Sequence, residues 1–152
     1  MLWIIVVIGL AIDQLSKYIV LTKMDYLQSI TVIPKLLDLT FVMNDGAAFS
    51  ILQGKVPVFI IITFVFVAAL IIFYYRQPKE EKLLRFWLSV LCAGALGNLI
   101  DRIRFGKVVD FFDLHIWPIF NFADMMVVFS VIAIAILIIF PQKIKKGHKH
   151  DL

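Results

Sequence analysis

Charged residues are scarce in this sequence of 152 residues: Asp, Glu, Lys and Arg together make up only 17 %, against about 25 % in ordinary soluble domains. Hydrophobic residues make up 62 %, well above the roughly 45–50 % of soluble proteins. A domain of this size cannot bury so much apolar surface, because small domains leave a large fraction of their surface in contact with solvent. The composition therefore excludes an ordinary soluble domain and a disordered chain. It predicts that residues 1–152 form a single membrane domain.

Signatures of several kinds of chemistry are missing as well. Cys92 is the only cysteine, which excludes an intramolecular disulfide. There is no glycine-rich phosphate loop, and His115 has no companion at the spacing of zinc ligands. The net charge of +4 does not indicate nucleic-acid binding, because the basic residues lie in short runs between apolar stretches, as in membrane loops. We therefore expect no nucleic-acid partner, no metal and no cofactor.

Four apolar segments are long enough to cross a bilayer as helices, which takes about 20 residues each. They cover about residues 2–21, 56–75, 84–103 and 122–140. Four spans place both termini on one side of the membrane, and a small excess of Lys and Arg on that side favours cytoplasmic termini. Residues 76–83 and 141–152 are then cytoplasmic, and the connections 24–55 and 104–121 are extracytoplasmic.

The first of these outer connections contains two short runs of β-branched, aromatic and other apolar residues. The runs cover residues 30–33 and 39–42, and they are bounded by Pro34 and by Asn44-Asp45-Gly46. Such runs between turn residues predict short strands. The predicted fold is therefore a mainly α-helical membrane protein, with four transmembrane helices and a small extracytoplasmic β-sheet between helices 1 and 2.

Several ionisable side chains lie inside the predicted spans, where they are costly and each marks a candidate site. Asp13 and Lys17 are four residues apart and share a helix face, so they can form an ion pair; alternatively, Lys17 extends to the interface. Asn98, Asp101 and Arg102 share a face near the outer end of the third span. We expect Asp101 to pair with Arg102.

Asp110 and Asp124 form a second candidate pair. Asp110 lies just beyond the outer end of the third span and Asp124 at the start of the fourth, so the intervening loop can bring the two carboxyl groups together. Two such groups a few ångströms apart share a proton. One then activates a water molecule as a general base, and the other donates a hydrogen bond to the carbonyl under attack. Helix capping or metal ligation would explain the same residues.

Other functions are compatible with these acidic residues. Four of them could act as hard-metal ligands for phosphoryl transfer on lipid head groups: Asp101, Asp110, Asp113 and Asp124. A proton relay in a small transporter is a second alternative, although the sequence shows no sign of an inverted repeat. A structural membrane protein is a third.

Five short blocks surround these polar residues, in order along nearly the whole chain. They are the sequences DQLSK at 13–17, NDGAAFS at 44–50, GALGNLIDR at 94–102, VVDF at 108–111 and FNFAD at 120–124. Taken together, the blocks resemble the bacterial lipoprotein signal peptidases (signal peptidase II), a family of membrane aspartic peptidases. The resemblance implies four transmembrane helices, a small outer sheet and an active site near the extracytoplasmic face of the bacterial cytoplasmic (inner) membrane.

The resemblance also implies a substrate and a set of residue roles. The substrate would be a prolipoprotein whose cysteine already carries a diacylglyceryl group, and the cut would fall just before that cysteine. Membrane lipid would be the other partner, and we expect the enzyme to act as a monomer. Asp110 and Asp124 fall on the catalytic positions. The candidate supporting or substrate-binding residues are Asp13, Lys17, Asn44, Gly46, Asn98, Asp101, Arg102, Asn121 and Ala123.

Overall fold

Four long helices dominate the structure, a computed structural model that describes residues 1–45 and 56–140. The helices are α1 (Leu2–Lys23), α2 (Val56–Arg76), α3 (Lys82–Phe105) and α4 (Phe122–Ile139). Each is long and apolar enough to cross a membrane. The four predicted spans are therefore confirmed, with ends that differ by no more than a few residues.

The central helix of the bundle is α3, which packs against the other three helices. Small residues on its surface let the neighbouring backbones come close. A Cβ added to Gly94 would lie 2.6 Å from the carbonyl oxygen of Ala123, and one added to Gly97 would lie 2.5 Å from Oδ2 of Asp13. Both glycines therefore permit close packing, since a larger side chain at either position would collide with a neighbouring helix.

An apolar core fills the bundle at the end away from the sheet. Leu2 and Val6 of α1 meet Val67 and Leu70 of α2 there, together with several buried side chains of α3. Cys92 is one of these, and it is almost fully buried. It therefore packs as a small apolar side chain, as its position within an apolar run predicts.

A small antiparallel sheet lies at the other end of the bundle. Its strands are β1 (Ser29–Ile33), β2 (Leu37–Asn44) and β3 (Val108–Asp113), in the order β1-β2-β3. The two predicted strands are confirmed. The third was predicted only as part of the loop 104–121, because its pairing with β2, for example Val108 with Asn44, is not visible from local sequence.

The third strand begins immediately after α3. Gly106 ends that helix with φ of 68° and donates its N–H to the carbonyl of Arg102, a left-handed conformation that glycine adopts without strain. Val109 and Phe111 then pack in a second apolar cluster with Val20 of α1. Since side chains alternate along a strand, Asp110 lies on the opposite face from these two residues, where it is also buried.

Candidate active site

The two candidate catalytic carboxyl groups both accept hydrogen bonds from one residue, Asn121. Its amide nitrogen donates to Oδ1 of Asp110 at 2.6 Å, and its backbone N–H donates to Oδ2 of Asp124 at 3.2 Å. The Asn121 side chain also accepts the backbone N–H of Asp124 at 2.9 Å, which completes a capping box at the start of α4. Asp124 is thus a capping residue as well as a neighbour of Asp110.

Two further asparagines complete the hydrogen bonds of the pair. Asn44, at the end of β2, donates to Oδ2 of Asp110 at 2.8 Å, and Asn98 of α3 donates to Oδ1 of Asp124 at 2.7 Å. Each of the four carboxylate oxygens therefore accepts a hydrogen bond from a neutral amide. Such donors fix the direction of both carboxyl groups without adding a charge beside them.

The environment of Asp110 favours its protonated form. Only 2 % of this residue is exposed. Burial first, and then the negative charge of Asp124, raise the pKa of Asp110 from 3.8 to about 7, against the lowering effect of hydrogen bonds from Asn44 and Asn121 and of the charge of Lys17. Near neutral pH the pair can therefore hold one proton, which is the state required for combined acid and base catalysis.

A buried ion-pair cluster lies beside the two aspartates. The ammonium group of Lys17 is 2.9 Å from Oδ2 of Asp13 and 2.8 Å from Oδ2 of Asp101, and it donates to Oδ1 of Asn98 at 3.0 Å. The predicted pair of Asp13 and Lys17 is confirmed. The alternative, that Lys17 extends to the interface, is wrong because only 2 % of this side chain is exposed.

The expected pair of Asp101 with Arg102 does not form. Asp101 contacts Lys17, and its carboxylate also accepts the backbone N–H of Val109 at 3.1 Å. Arg102 donates instead to the carbonyl of Asn98 at 3.4 Å. The reason is geometric: consecutive residues on a helix do not face each other, so Asp101 lies toward α1 while Arg102 lies on another side of α3.

Asp13 and Ala123 connect α1 to the start of α4. Oδ1 of Asp13 accepts the backbone N–H of Ala123 at 3.0 Å, one of the first-turn donors that has no partner within its own helix. Ala123 is fully buried, and a side chain larger than its methyl group would collide with α3 near Gly97. The small residue before Asp124 thus has a packing reason.

Gln14 belongs to the same cluster, although it was not among the predicted site residues. Its side-chain amide donates to Oδ1 of Asp101 at 3.0 Å and to the carbonyl of Gly97 at 3.3 Å. The available signal was its place next to Asp13 in the first sequence block. Of the predicted residues, Gly46 lies outside the described part of the chain.

The four aspartates of the metal hypothesis have different direct partners and do not gather around one point. Asp101 contacts Lys17, as described above, whereas Asp113 accepts hydrogen bonds from the Thr40 hydroxyl and the backbone N–H of His115. Within residues 1–45 and 56–140, no group of three or more His, Cys, Asp or Glu side chains is arranged to hold a metal ion. The geometry that is present is a buried Asp110 and a half-buried Asp124, whose carboxyl groups accept hydrogen bonds from neutral amides.

Comparisons with known proteins identify the family of the chain. The family described as signal peptidase (SPase) II matches residues 5–140. The lipoprotein signal peptidase of Moorella thermoacetica is 51 % identical over 133 residues, covering 87 % of this chain and 88 % of the relative. That of Halothermothrix orenii is 45 % identical over 143 residues, covering 94 % and 97 %.

A solved structure described as a bacterial membrane enzyme is also similar. It superimposes with a TM-score of 0.88 at 39 % identity, covering 99 % of this chain and 94 % of the other. The similarity thus extends from sequence blocks to the whole arrangement of helices and sheet. The chain belongs to the signal peptidase II family of aspartic peptidases, and it is a multi-pass bacterial membrane protein.

Proposed function

We propose that this chain removes the signal peptide from prolipoproteins whose cysteine carries a diacylglyceryl group, cutting just before that cysteine, with Asp110 and Asp124 as the catalytic pair. The observation that carries the proposal is the contact of both carboxyl groups with Asn121, together with the burial of Asp110, which raises its pKa to about 7. The names of the similar proteins support the substrate class.

The proposed reaction needs one proton on the pair. The ionised carboxylate takes a proton from a water molecule as the water oxygen attacks the scissile carbonyl carbon. The protonated carboxyl group donates its hydrogen to the carbonyl oxygen. The tetrahedral intermediate, which carries two hydroxyl groups, then collapses: the C–N bond breaks, and the amine of the lipidated cysteine takes the proton of one carboxyl group. One hydroxyl of the intermediate gives its proton to the other carboxylate, so the signal peptide leaves with the new carboxyl group and the pair again holds one proton.

The positions of the two aspartates suit a lipid-anchored substrate. Asp110 lies in β3, outside the helices, and Asp124 lies in the first turn of α4. The pair is therefore placed where an apolar span meets the sheet. A diacylglyceryl group holds the bond before its cysteine at the bilayer surface, since its acyl chains remain in the hydrocarbon. The substrate would then present its scissile bond at the level of the pair.

Three further assignments belong to the same proposal. The termini lie in the cytoplasm, as the distribution of Lys and Arg favours, so the sheet and the active site lie at the extracytoplasmic face. The candidate supporting residues hold the pair in position or contact the substrate. The enzyme acts as a monomer, because one chain supplies the hydrogen-bond donors to all four carboxylate oxygens.

The test compares two substrates that differ only in the lipid. Purified protein in lipid vesicles is mixed with one prolipoprotein, either diacylglyceryl-modified at its cysteine or unmodified, and the products are identified by mass spectrometry. We expect cleavage of the modified form alone, with the lipidated cysteine at the new N-terminus. Equal cleavage of both forms, or a cut elsewhere, would contradict the proposed substrate and position.

A chelator separates this proposal from metal chemistry. The paired-aspartate reaction uses only protons and water, so turnover of the modified substrate should be the same with and without excess EDTA. A loss of turnover that added Mg²⁺ or Mn²⁺ restores would support the metal-dependent alternative.

A further inference from the structure

The end of the sheet farthest from Asn44 exposes a group of apolar side chains. Ile33 ends β1 and Leu36 lies in the turn that follows, whereas Ile116 and Trp117 lie in the loop between β3 and α4. These four residues are here termed the apolar tip. Ile116 is 89 % exposed, more than any other large apolar side chain in the described part of the chain, and Trp117 is 67 % exposed.

The two segments of the apolar tip lie at the same end of the sheet. Ile33 pairs with Leu37 at the start of β2, and Asp38 pairs with Asp113 at the end of β3. The His115 ring connects them, since its nitrogens lie 3.4 Å from Oδ2 of Asp38 and 3.5 Å from Oδ1 of Asp113. The exposed residues of the turn and the loop thus form one feature.

Hydrogen bonds fix the loop that carries Ile116 and Trp117. The backbone N–H groups of Phe111 and Phe112 both donate to the carbonyl of Phe120, and Phe120 donates back to Phe112. His115 has φ of 61°, an uncommon conformation for a residue other than glycine, and its N–H donates to Asp113 at 2.9 Å. The loop therefore holds its apolar side chains outward in a defined conformation.

The turn is fixed in a similar way, and it adds a positive charge. Leu36 donates its N–H to the carbonyl of Ile33 at 3.0 Å, closing a turn with Pro34 and Lys35 at its centre. Lys35 has φ of 66° and is exposed. The two acidic residues nearby, Asp38 and Asp113, both face His115. The apolar tip thus combines aliphatic side chains with one tryptophan, and Lys35 lies beside it. Such a combination is typical of segments that bind the interface of anionic membranes.

The apolar tip is continuous with a membrane span, which favours lipid as the partner that covers it. The loop leads through Phe120 directly into α4, which begins at Phe122. Ile116 is four residues from Phe120, so it lies within about 14 Å of it. The polar interface of a bilayer extends for roughly 5–8 Å on each side of the hydrocarbon. The loop is therefore short enough for Ile116 and Trp117 to reach the zone where α4 leaves the lipid.

From these observations we propose that the apolar tip is a membrane anchor that inserts Ile116 and Trp117 into the lipid interface beside the bundle. The anchor fixes the height of β3, and with it Asp110, above the hydrocarbon. This inference does not depend on the proposed reaction, because it concerns the contact of the sheet with lipid whatever the site catalyses.

Tryptophan fluorescence tests the anchor directly. The chain has three tryptophans. The double variant Trp3→Phe, Trp87→Phe leaves Trp117 as the reporter, and Trp87→Phe, Trp117→Phe leaves Trp3, which lies exposed on α1, as the lipid-facing control. Both are placed in vesicles of phosphatidylcholine and phosphatidylglycerol with bromine either near the head group or deep in the acyl chains. We expect Trp117 to be quenched more strongly by shallow than by deep bromine, and to be shielded from aqueous iodide.

Two results would overturn the proposal. Strong quenching of Trp117 by iodide with none by bromolipid would place the apolar tip in water. Shielding from both quenchers would show that protein covers it, either a second copy or another part of the chain. Shallow bromine quenching of Trp117 alongside quenching of the Trp3 control supports the anchor.

A second measurement keeps the test independent of the tryptophan substitutions. The variant Ile116→Cys is spin-labelled; Cys92 is buried and should not react. In vesicles, collisions of the label with oxygen should exceed those with a water-soluble nickel chelate. The matched control Lys79→Cys, at an exposed position between α2 and α3, should show the reverse. A label at residue 116 that behaves like the control would contradict the anchor.

Discussion

Replacing Lys17 by methionine tests the buried cluster beside the proposed catalytic pair. Methionine keeps most of the length and apolar volume of the side chain and removes the ammonium group, with its positive charge and its hydrogen-bond donors. In the native cluster, that charge faces two carboxylates at 2.9 and 2.8 Å and the amide oxygen of Asn98 at 3.0 Å. The variant therefore leaves Asp13 and Asp101 buried without their cation, and it leaves Asn98 without one of the donors that set its orientation.

The expected cost follows from the burial of these groups. Removing one partner of a buried ion pair costs about 3–5 kcal/mol, because an uncompensated charge stays behind. Here two carboxylates lose the same cation, so we expect the free energy of unfolding to fall by at least that amount. Turnover of the protein that remains folded should also fall, because Asn98 donates to Asp124.

Reversible unfolding in mixed micelles with increasing SDS measures this cost. Lys23→Met is the matched control, since Lys23 lies exposed at the end of the same helix and should change stability by no more than about 0.5 kcal/mol. Adding Asp101→Asn to Lys17→Met should recover part of the loss by removing one uncompensated charge. A Lys17→Met protein within about 1 kcal/mol of wild type would refute the charge-compensating role.

Changes of pH and substitutions at Asn44, Gly97 and Gly106 also have defined outcomes. The folded protein retains a proton on Asp110 up to about pH 7, whereas an ordinary aspartate loses it near pH 3.8. The free energy of unfolding should therefore fall as the pH rises from about 4 to about 7. SDS titrations of Asp110→Asn should lack this dependence on pH. In pH–rate profiles, turnover should decline above about pH 7, where Asp110 loses its proton. Asn44→Ala should move that decline to higher pH, because the hydrogen bond from Asn44 lowers the pKa of Asp110. A decline at the same pH in the variant would contradict this role of Asn44. Gly97→Ala should cost about 1–3 kcal/mol and lower turnover, because the new Cβ would lie 2.5 Å from Asp13. Gly106→Ala is the control, because its Cβ meets nothing within 4 Å. Its free energy of unfolding should fall by only about 1–2 kcal/mol, owing to the positive φ, and its turnover should be unchanged. Equal turnover in the two variants would contradict the packing argument.

The helices were predictable because long apolar runs have few solutions in lipid. A segment of about 20 apolar residues can satisfy its backbone there only as a helix or within a closed barrel, and the four runs match α1 to α4. The strand Val108–Asp113 was missed because its stability comes from β2, which is distant in sequence. Long-range pairing of this kind leaves little trace in local composition.

The candidate site shows the same division between local and distant contacts. The ion pair of Asp13 with Lys17 follows from helical spacing alone. The second partner of Lys17 could not be predicted, since it depends on how α1 packs against α3, and adjacency in sequence wrongly suggested that Asp101 pairs with Arg102. The capping box of Asn121 and Asp124 was open to sequence reasoning from its spacing of three residues.

The most direct test of the proposed mechanism is the cleavage rate of a diacylglyceryl-modified prolipoprotein by wild type, Asp110→Asn and Asp124→Asn. Asp113→Asn is the matched control, because Asp113 lies on the same strand but bonds to Thr40 and His115 instead of the pair. We expect each active-site variant to fold and to lose at least about 10²–10⁴-fold in rate, while the control stays near wild type. A folded Asp110→Asn or Asp124→Asn protein with near-normal turnover would contradict the paired-aspartate mechanism.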